Sequence, residues 1–248
     1  MSTKSEDREI RTVSELVSAL NKTPSKGQRL FRGQNTDKPL LPKIMRLAKD
    51  KKIGPTKLQE IERAMLERFK REGVSVRITL RELNEWELLS VAQHQGMPTR
   101  FLDWTANALA ALWFAVSTDP PNQEPHGVVW AVDVPARHVR KPGHNNDVFA
   151  SKNTYFFQPF HLDPRIVAQS GWFSVYRHNR TEFLSLERLD KFQAKLSRFI
   201  VPRNSFQPLR QELRLLGVSS ASMFPDLSGL SADIQAEFID SWRGLQTI

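Results

Sequence analysis

Cysteine is absent from the 248 residues. Disulfides, thiolate metal sites and cysteine nucleophiles are therefore excluded, and the absence fits a reducing compartment. Long hydrophobic runs are missing too. The longest, Ala108 to Val116, falls far short of the ~20 residues a bilayer-spanning helix needs. The first residues, Met1 to Arg8, are charged and carry no apolar h-region, so no secretory leader is expected. Neither G-x-G-x-x-G nor a Walker pattern occurs, which leaves phosphotransfer and hydride transfer without support. A G-x-S-x-G elbow for a serine nucleophile is also lacking. Six histidines are present, and no two of them stand at the i, i+4 spacing of a helical zinc site. No metal is expected. The reading is a soluble, cytoplasmic chain with no membrane partner.

Charge of one sign dominates. Lys and Arg number 36 against 27 Asp and Glu, a net +9. Such a balance favours acidic partners, nucleic acid first, although a generally basic protein would show it as well. The excess is uneven. Lys43 to Glu82 is net +6 and Arg177 to Arg214 net +5, while Leu83 to Tyr176 is net −2. Basic flanks thus enclose a middle region suited to more local chemistry.

That middle holds the densest polar stretch, Gln93-His94-Gln95-Gly96-Met97-Pro98-Thr99-Arg100-Phe101-Leu102-Asp103-Trp104-Thr105, running straight into the apolar Ala108 to Val116. Hydrogen-bonding residues on a turn-rich strand anchored by a buried helix suit a cleft on a rigid scaffold. Ahead of it, Thr12 and Glu15 form a capping box for a short helix through Leu20. Arg29 to Gln34 reads as a strand ending in Arg32-Gly33. There the arginine offers a rigid fork to phosphate or carboxylate, and the glycine lets backbone approach a ligand. An arginine in a structural ion pair is the plainer alternative. Asn35 to Leu41 reads as a loop. Thr56 with Gln59, and Asn84 with Glu87, predict two further capped helices. Asp119 to Asn122 is a loop, and Gly127 to Val134 a strand. Tyr155 to Phe160 and Gly171 to Tyr176 are read as strands, with Gln169 just before the second. Leu186 to Leu196 is expected as a helix, Arg198 to Val201 as a strand and Pro208 to Leu216 as a helix stopped by Gly217. Ser222 to Leu227 is a turn, and an amphipathic helix follows near Leu230 to Trp242. The fold class is α+β: a single domain with mixed central β-sheets and peripheral helices. Trp104 and His94 can equally be packing residues or ligand contacts.

Phe31-Arg32-Gly33-Gln34, followed by His94-Gln95-Gly96-Met97-Pro98-Thr99-Arg100-Phe101-Leu102-Asp103-Trp104-Thr105, resembles the FRG-domain family, named for its F/Y-R-G motif. Arg165-Ile166-Val167-Ala168-Gln169-Ser170-Gly171-Trp172-Phe173 is similar to its third block. Leu215 to Val218 with Met223 to Leu230 is similar to its closing block. The resemblance implies residues 1–26 as an N-terminal helical segment and 27–248 as the FRG domain. The layout in turn resembles the ADP-ribosyltransferase fold, which is an analogy of fold. It implies NAD as a substrate, with Arg32 holding it and Gln169 bonding its ribose as the catalytic pair. Phe31, Arg32, Gly33, Gln34, His94, Thr99, Arg100, Asp103, Trp104 and Thr105 would shape the pocket. Gln169 stands where that fold carries Glu, and an amide cannot act as a base. His94, Asp103 and Glu212 are candidates to supply the missing group. Loss of nicotinamide through an oxocarbenium-like state needs positioning and charge complementarity more than a strong base. The implied role is a toxin of a toxin–antitoxin or phage-defence system, acting on RNA or DNA and neutralised by an antitoxin protein. The alternative is a non-catalytic module that binds nucleic acid or a partner protein.

Overall fold

Local signals start two helices as expected. Thr12 accepts from the Glu15 N–H and Glu15 reaches back, which caps α1 (Val13–Asn21). Asn84 and Glu87 do the same for α4 (Glu85–His94). Each pair satisfies N–H groups that the helix itself cannot. The helix predicted from a Thr56 box starts differently. Pro55 occupies the first turn of α3 (Pro55–Gly73), behind an N-cap Gly54 that has no capping side chain. A proline suits that turn because its missing N–H would find no partner there.

The coordinates are a computed structural model. It describes residues 7–23, 25, 27–76, 78–119, 125–141, 147–151, 153–160, 163–176, 181–189, 192 and 195–245. The strands are β1 (Arg8–Glu9), β2 (Gln28–Gln34), β3 (Phe101–Thr105), β4 (His126–Val134), β5 (Val139–Arg140), β6 (Tyr155–Phe157), β7 (Gly171–Val175) and β8 (Leu196–Pro202). They form one sheet in the order β1-β8-β4-β2-β3-β7-β6-β5. The expected plural sheets are thus one mixed sheet. Only the edge pairs β1–β8 and β5–β6 run parallel.

The remaining helices are α2 (Lys43–Asp50), α5 (Ala108–Val116), α6 (Pro164–Ala168), α7 (Phe206–Leu215), α8 (Ser220–Met223) and α9 (Leu227–Leu245). The sequence gives no expectation of α2, α6, α8 or β1, and β5 lies in Pro135 to Asp147, a stretch that reads as basic and irregular. The helix expected over Leu186 to Leu196 is formed at most in part: Phe192 is helical. Leu186–Arg188 is a single 3-10 turn, and Leu196 already opens β8. Its apolar spacing instead delivers Leu186, Phe192 and Leu196 into one core. Part of that segment, and Pro120 to Asn122 of the expected loop, lie outside the described residues.

The sheet has a weak joint at its middle. β4 pairs with β2 from Gln28 to Gln34, and β3 pairs with β7 from Phe101 to Thr105. Between these two halves, β2 and β3 meet only where Phe31 stands opposite Thr105. Beyond that pair the strands part, leaving backbone groups that need other partners. Each half has its own backing. Helix α5 and α7 pack with Phe31, Val129, Ala131 and Phe199 of the β2 half. Helix α4 packs with Phe101, Phe173 and Val175 of the β3 half. A third core joins Leu30, Val128 and Trp130 to Leu102, Trp104 and Phe156 across the joint. The N-terminal α1 belongs to the first of these cores through its fully buried Leu16.

Candidate active site at the parted strands

Where β2 and β3 separate, a cavity of about 300 Å³ opens, lined by Phe31, Arg32 and Gly33 from β2 and by Asp103, Trp104 and Thr105 from β3. Gln93 and His94 close it from the last turn of α4, Phe114 from α5, Arg165 and Gln169 from the α6 region, and Phe224 from the turn before α9. Its size lies at the low end of the roughly 300–1,000 Å³ typical of small-molecule sites. Four segments far apart in the chain thus converge on one opening.

Arg32 fills the gap left by the parted backbone. Its Nη1 donates to the Asp103 carbonyl at 2.8 Å and lies 3.5 Å from Asp103 Oδ2. Its Nε donates to Gln34 Oε1 at 3.1 Å, and Gln34 Nε2 donates to the Lys38 carbonyl at 2.8 Å. The other side of Asp103 is held as well: Gln93 Nε2 donates to Oδ1 at 2.7 Å. Thr99 Oγ1 donates in turn to Gln93 Oε1. A continuous chain of hydrogen bonds therefore runs from Thr99 through Gln93, Asp103 and Arg32 to Gln34. It fixes the guanidinium plane while Nη2 has no partner among the described residues. A fork held on one edge and open on the other is set up to receive an anion or carbonyl. Arg46 of α2 adds to the positive field. Burial, and then the charge of Arg32, hold its pKa below the usual arginine value.

His94 also lines the cavity, its ring 5.9 Å from that of Phe173 in an edge contact. Burial lowers its pKa, against the opposing pull of Asp163 and Asp103, while Arg165 lowers it further. The imidazole is therefore neutral near pH 7. Its Nε2 is buried without a hydrogen-bond partner, an orphan polar atom that calls for an explanation.

The remaining residues singled out from sequence divide clearly. Trp104 is buried at 3 % exposure, donates to Ser174 Oγ at 2.9 Å and packs near Phe156. Only part of its surface reaches the cavity. The Thr105 hydroxyl donates to the Gln169 carbonyl at 2.6 Å and accepts from the Asn107 N–H at 2.9 Å. Together with the Ala106 N–H donating to the Ser170 carbonyl at 3.0 Å, this holds Ser170 at φ 48. That is an uncommon conformation for a side-chain-bearing residue, and here it sits beside the cavity. The Gln169 side chain donates to the Met223 carbonyl at 3.0 Å.

Gly33 has a different task from the close approach to a ligand expected of it. A Cβ on it would lie 1.7 Å from the Ala111 carbonyl oxygen and 2.7 Å from the Ala115 nitrogen. Glycine is needed there because α5 presses its backbone onto β2. Gln34 and Thr99 stand behind the cavity as supports. Arg100 points away from it altogether: Nε and Nη2 donate to Glu62 Oε2 at 2.8 and 2.6 Å, and Nη1 donates to the Val148 carbonyl at 3.2 Å. Its own backbone N–H donates to Glu62 Oε1 at 2.8 Å. Glu212, a candidate for the missing acid group, lies elsewhere, accepting from the Val13 N–H at 2.8 Å at the start of α1. Asp103 is the only carboxylate in the cavity wall among the described residues.

Gln93 opens the stretch expected to form the cleft, whereas Phe114, Arg165 and Phe224 were not foreseen as wall residues. Gln93 directly precedes the His94 block, and Arg165 and Phe224 fall inside the third and fourth blocks. Arg165 is clamped by Asp226, its Nε and Nη2 donating to Oδ2 at 2.9 and 2.6 Å. The Gly229 N–H, followed by this bond from Arg165, holds the Asp226 carboxyl below its ordinary pKa. No group of three or more potential metal ligands occurs among the described residues. His144, His161 and His178 lie outside those residues. Among the described residues no helix is long and apolar enough to cross a membrane.

Neither a curated protein nor a solved structure matches this chain. The FRG domain family matches residues 27–124, the segment from the strand that carries Arg32 to just beyond the helix that packs on Gly33. Residues 27–124 of the chain thus carry an FRG domain.

Proposed function

We propose that the chain is an ADP-ribosyltransferase that takes NAD into the cavity at the parted strands and transfers ADP-ribose to a macromolecule. The observation that carries this reading is the convergence on one opening of Arg32, the His94–Thr105 block, Gln169 and Phe224. These come from all four ordered blocks of the chain. The donor set suits the substrate. Arg32 offers a free Nη2 on an otherwise fixed fork to a phosphate or to the carboxamide oxygen. Phe114 and Phe224 supply apolar walls against which a nicotinamide ring can pack. His94, another lining residue, carries the unsatisfied Nε2. NAD bound there supplies an activated glycosidic bond whose leaving group is neutral nicotinamide.

The chain's own residues then position and complement charge. Asp103, pinned by Gln93 and by Arg32, is the one carboxylate able to face positive charge developing at the ribose or to take a proton from an incoming nucleophile. The Gln169 amide oxygen has no partner among the described residues while Nε2 is bound to Met223, so it can accept from a ribose hydroxyl. Growth arrest as a toxin, a neutralising antitoxin and a location in the cytoplasm belong to this proposal. The basic flanks make nucleic acid one target class to test. The test is nicotinamide release and NAD binding measured calorimetrically, wild type beside Arg32→Ala and Asp103→Asn. The reading expects binding lost in the first and turnover lost with binding retained in the second. Wild type that neither binds NAD nor releases nicotinamide refutes it.

One observation favours the non-catalytic alternative: the Thr105 hydroxyl and the Gln169 amide are already engaged in holding the loop. That version predicts binding of NAD or a macromolecule without turnover, and full binding by Asp103→Asn.

A further inference from the structure

A second depression lies beside the cavity. Arg165 and Phe224 line both the cavity and an open groove of about 540 Å³. That groove runs past Trp113 and Ser220 to Ala232 and Ile239 on α9. The cavity and the groove therefore share a wall, formed by Arg165 and Phe224.

The groove and its rim are poor in available charge. Arg165 is bound to Asp226, Arg210 to Asp119 at 2.7 Å, and Arg214 to Asp233 at 3.0 Å with Glu237 at 3.4 Å. Each of these three arginines thus has a carboxylate partner. Phosphate backbones are held by cations that release counterions on binding, and cations already neutralised contribute little of that. Helix α9 points the same way. Past Gly229 none of its described side chains is buried, and Leu230, Ile234, Phe238 and Ile239 are 47 %, 48 %, 72 % and 44 % exposed. Its nearby charges, Asp233 and Glu237, are acidic in a chain of net +9. A surface with an apolar centre, aromatic walls and few free charges has the character of the core of a protein interface.

We infer that the groove between Trp113 and α9 holds the acceptor, and that the acceptor is a polypeptide segment with an apolar anchor. This rests on the proposed transferase reading and narrows it from macromolecule to protein, in spite of the basic flanks. In the step itself, the bond between the nicotinamide nitrogen and ribose C1′ breaks and nicotinamide leaves with the electron pair. A heteroatom of the peptide side chain bonds to C1′ and releases its proton to Asp103 or to water. NAD⁺ and the neutral acceptor thus give ADP-ribosyl peptide, nicotinamide and one proton.

The experiment uses the full chain, adenylate-labelled NAD and a clarified lysate of the expression host. Products are split between nuclease and protease digestion, and nicotinamide release is followed in parallel. The expected result is label that survives nuclease and is lost to protease. Ile239→Glu and Ala232→Glu, on an exposed helix outside the cavity, should cut that transfer roughly tenfold or more, the loss expected when a charge enters an apolar contact. Both should leave nicotinamide release to water unchanged. Label in nuclease-sensitive material, or protein labelling undiminished in both variants, overturns the inference while the transferase reading stands. Nicotinamide release with no label in any macromolecule also overturns it. No nicotinamide release at all removes the transferase reading itself.

Discussion

The Glu62–Arg100 pair allows a quantitative test of how the FRG block is supported. Both side chains are almost wholly buried, at 2 % and 4 % exposure, and the carboxylate accepts three N–H bonds, from the Arg100 backbone, Nε and Nη2. Glu62→Gln keeps the shape but puts an amide N–H₂ against a guanidinium that can only donate. The buried arginine is left uncompensated, a situation that costs about 3–5 kcal/mol when one partner of a buried pair is removed. That is a large part of a typical total stability of about 5–15 kcal/mol. Urea unfolding followed by tryptophan fluorescence reads it directly. With a slope of about 3 kcal/mol per molar, the midpoint should fall by about 1 M or more. Replacing both residues, as Glu62→Leu with Arg100→Met, should recover most of the loss, because no buried charge remains. A fall below about 1 kcal/mol in Glu62→Gln, within the range of ordinary exposed pairs, would mean that Arg100 is not committed to Glu62. Its role as a ligand-binding arginine would then reopen.

Three further outcomes are expected. Gly33→Ala should destabilise by more than about 4 kcal/mol or prevent folding, since its Cβ would meet the Ala111 carbonyl at 1.7 Å; thermal unfolding or soluble yield measures this. Gln93→Ala frees Asp103 and loosens Arg32 without opening a core. NAD affinity by calorimetry should drop about tenfold, worth about 1.4 kcal/mol, with little change in unfolding midpoint, and Gln93→Asn should not restore it because its amide stops short. Burial holds His94 below its unfolded value of about 6.5. The sign is that of a depressed pKa: the stability contribution is intact above that value and is lost as pH falls from it through the folded pKa. Melting temperature should therefore fall between pH 7.5 and 5 more steeply in wild type than in His94→Gln, and equal slopes would count against a buried neutral imidazole.

Local chemistry was legible without coordinates. The Thr12–Glu15 and Asn84–Glu87 boxes announce α1 and α4 because each closes its bonds within four residues. The strand at Arg29 to Gln34 and the apolar helix after Thr105 follow from alternation and composition in the same way. Where a local signal had a competitor it failed. Thr56 and Gln59 have box spacing, yet Pro55 takes the first turn of α3. The apolar spacing after Leu186 serves burial in a shared core, and a continuous helix is interrupted at its described ends by a 3-10 turn at Leu186–Arg188 and by β8 from Leu196. Helix α2 has no capping side chain, so nothing local marked its start.

By itself, the sequence determined the blocks of residues that meet at the site, the FRG domain over residues 27–124, and the exclusion of cysteine chemistry. Which member of each block does what was decided only by tertiary structure. Arg32 and Arg100 are both arginines in motif positions. One lies at a joint where two strands part, so its fork keeps a free edge. The other lies against a carboxylate 38 residues away, so its fork is fully used. Gly33 is required by the backbone of α5, a contact that no pattern within β2 reveals. The reason is common to all three: hydrogen-bond donors and close contacts are allotted by spatial neighbours, and a chain reading sees only neighbours in sequence.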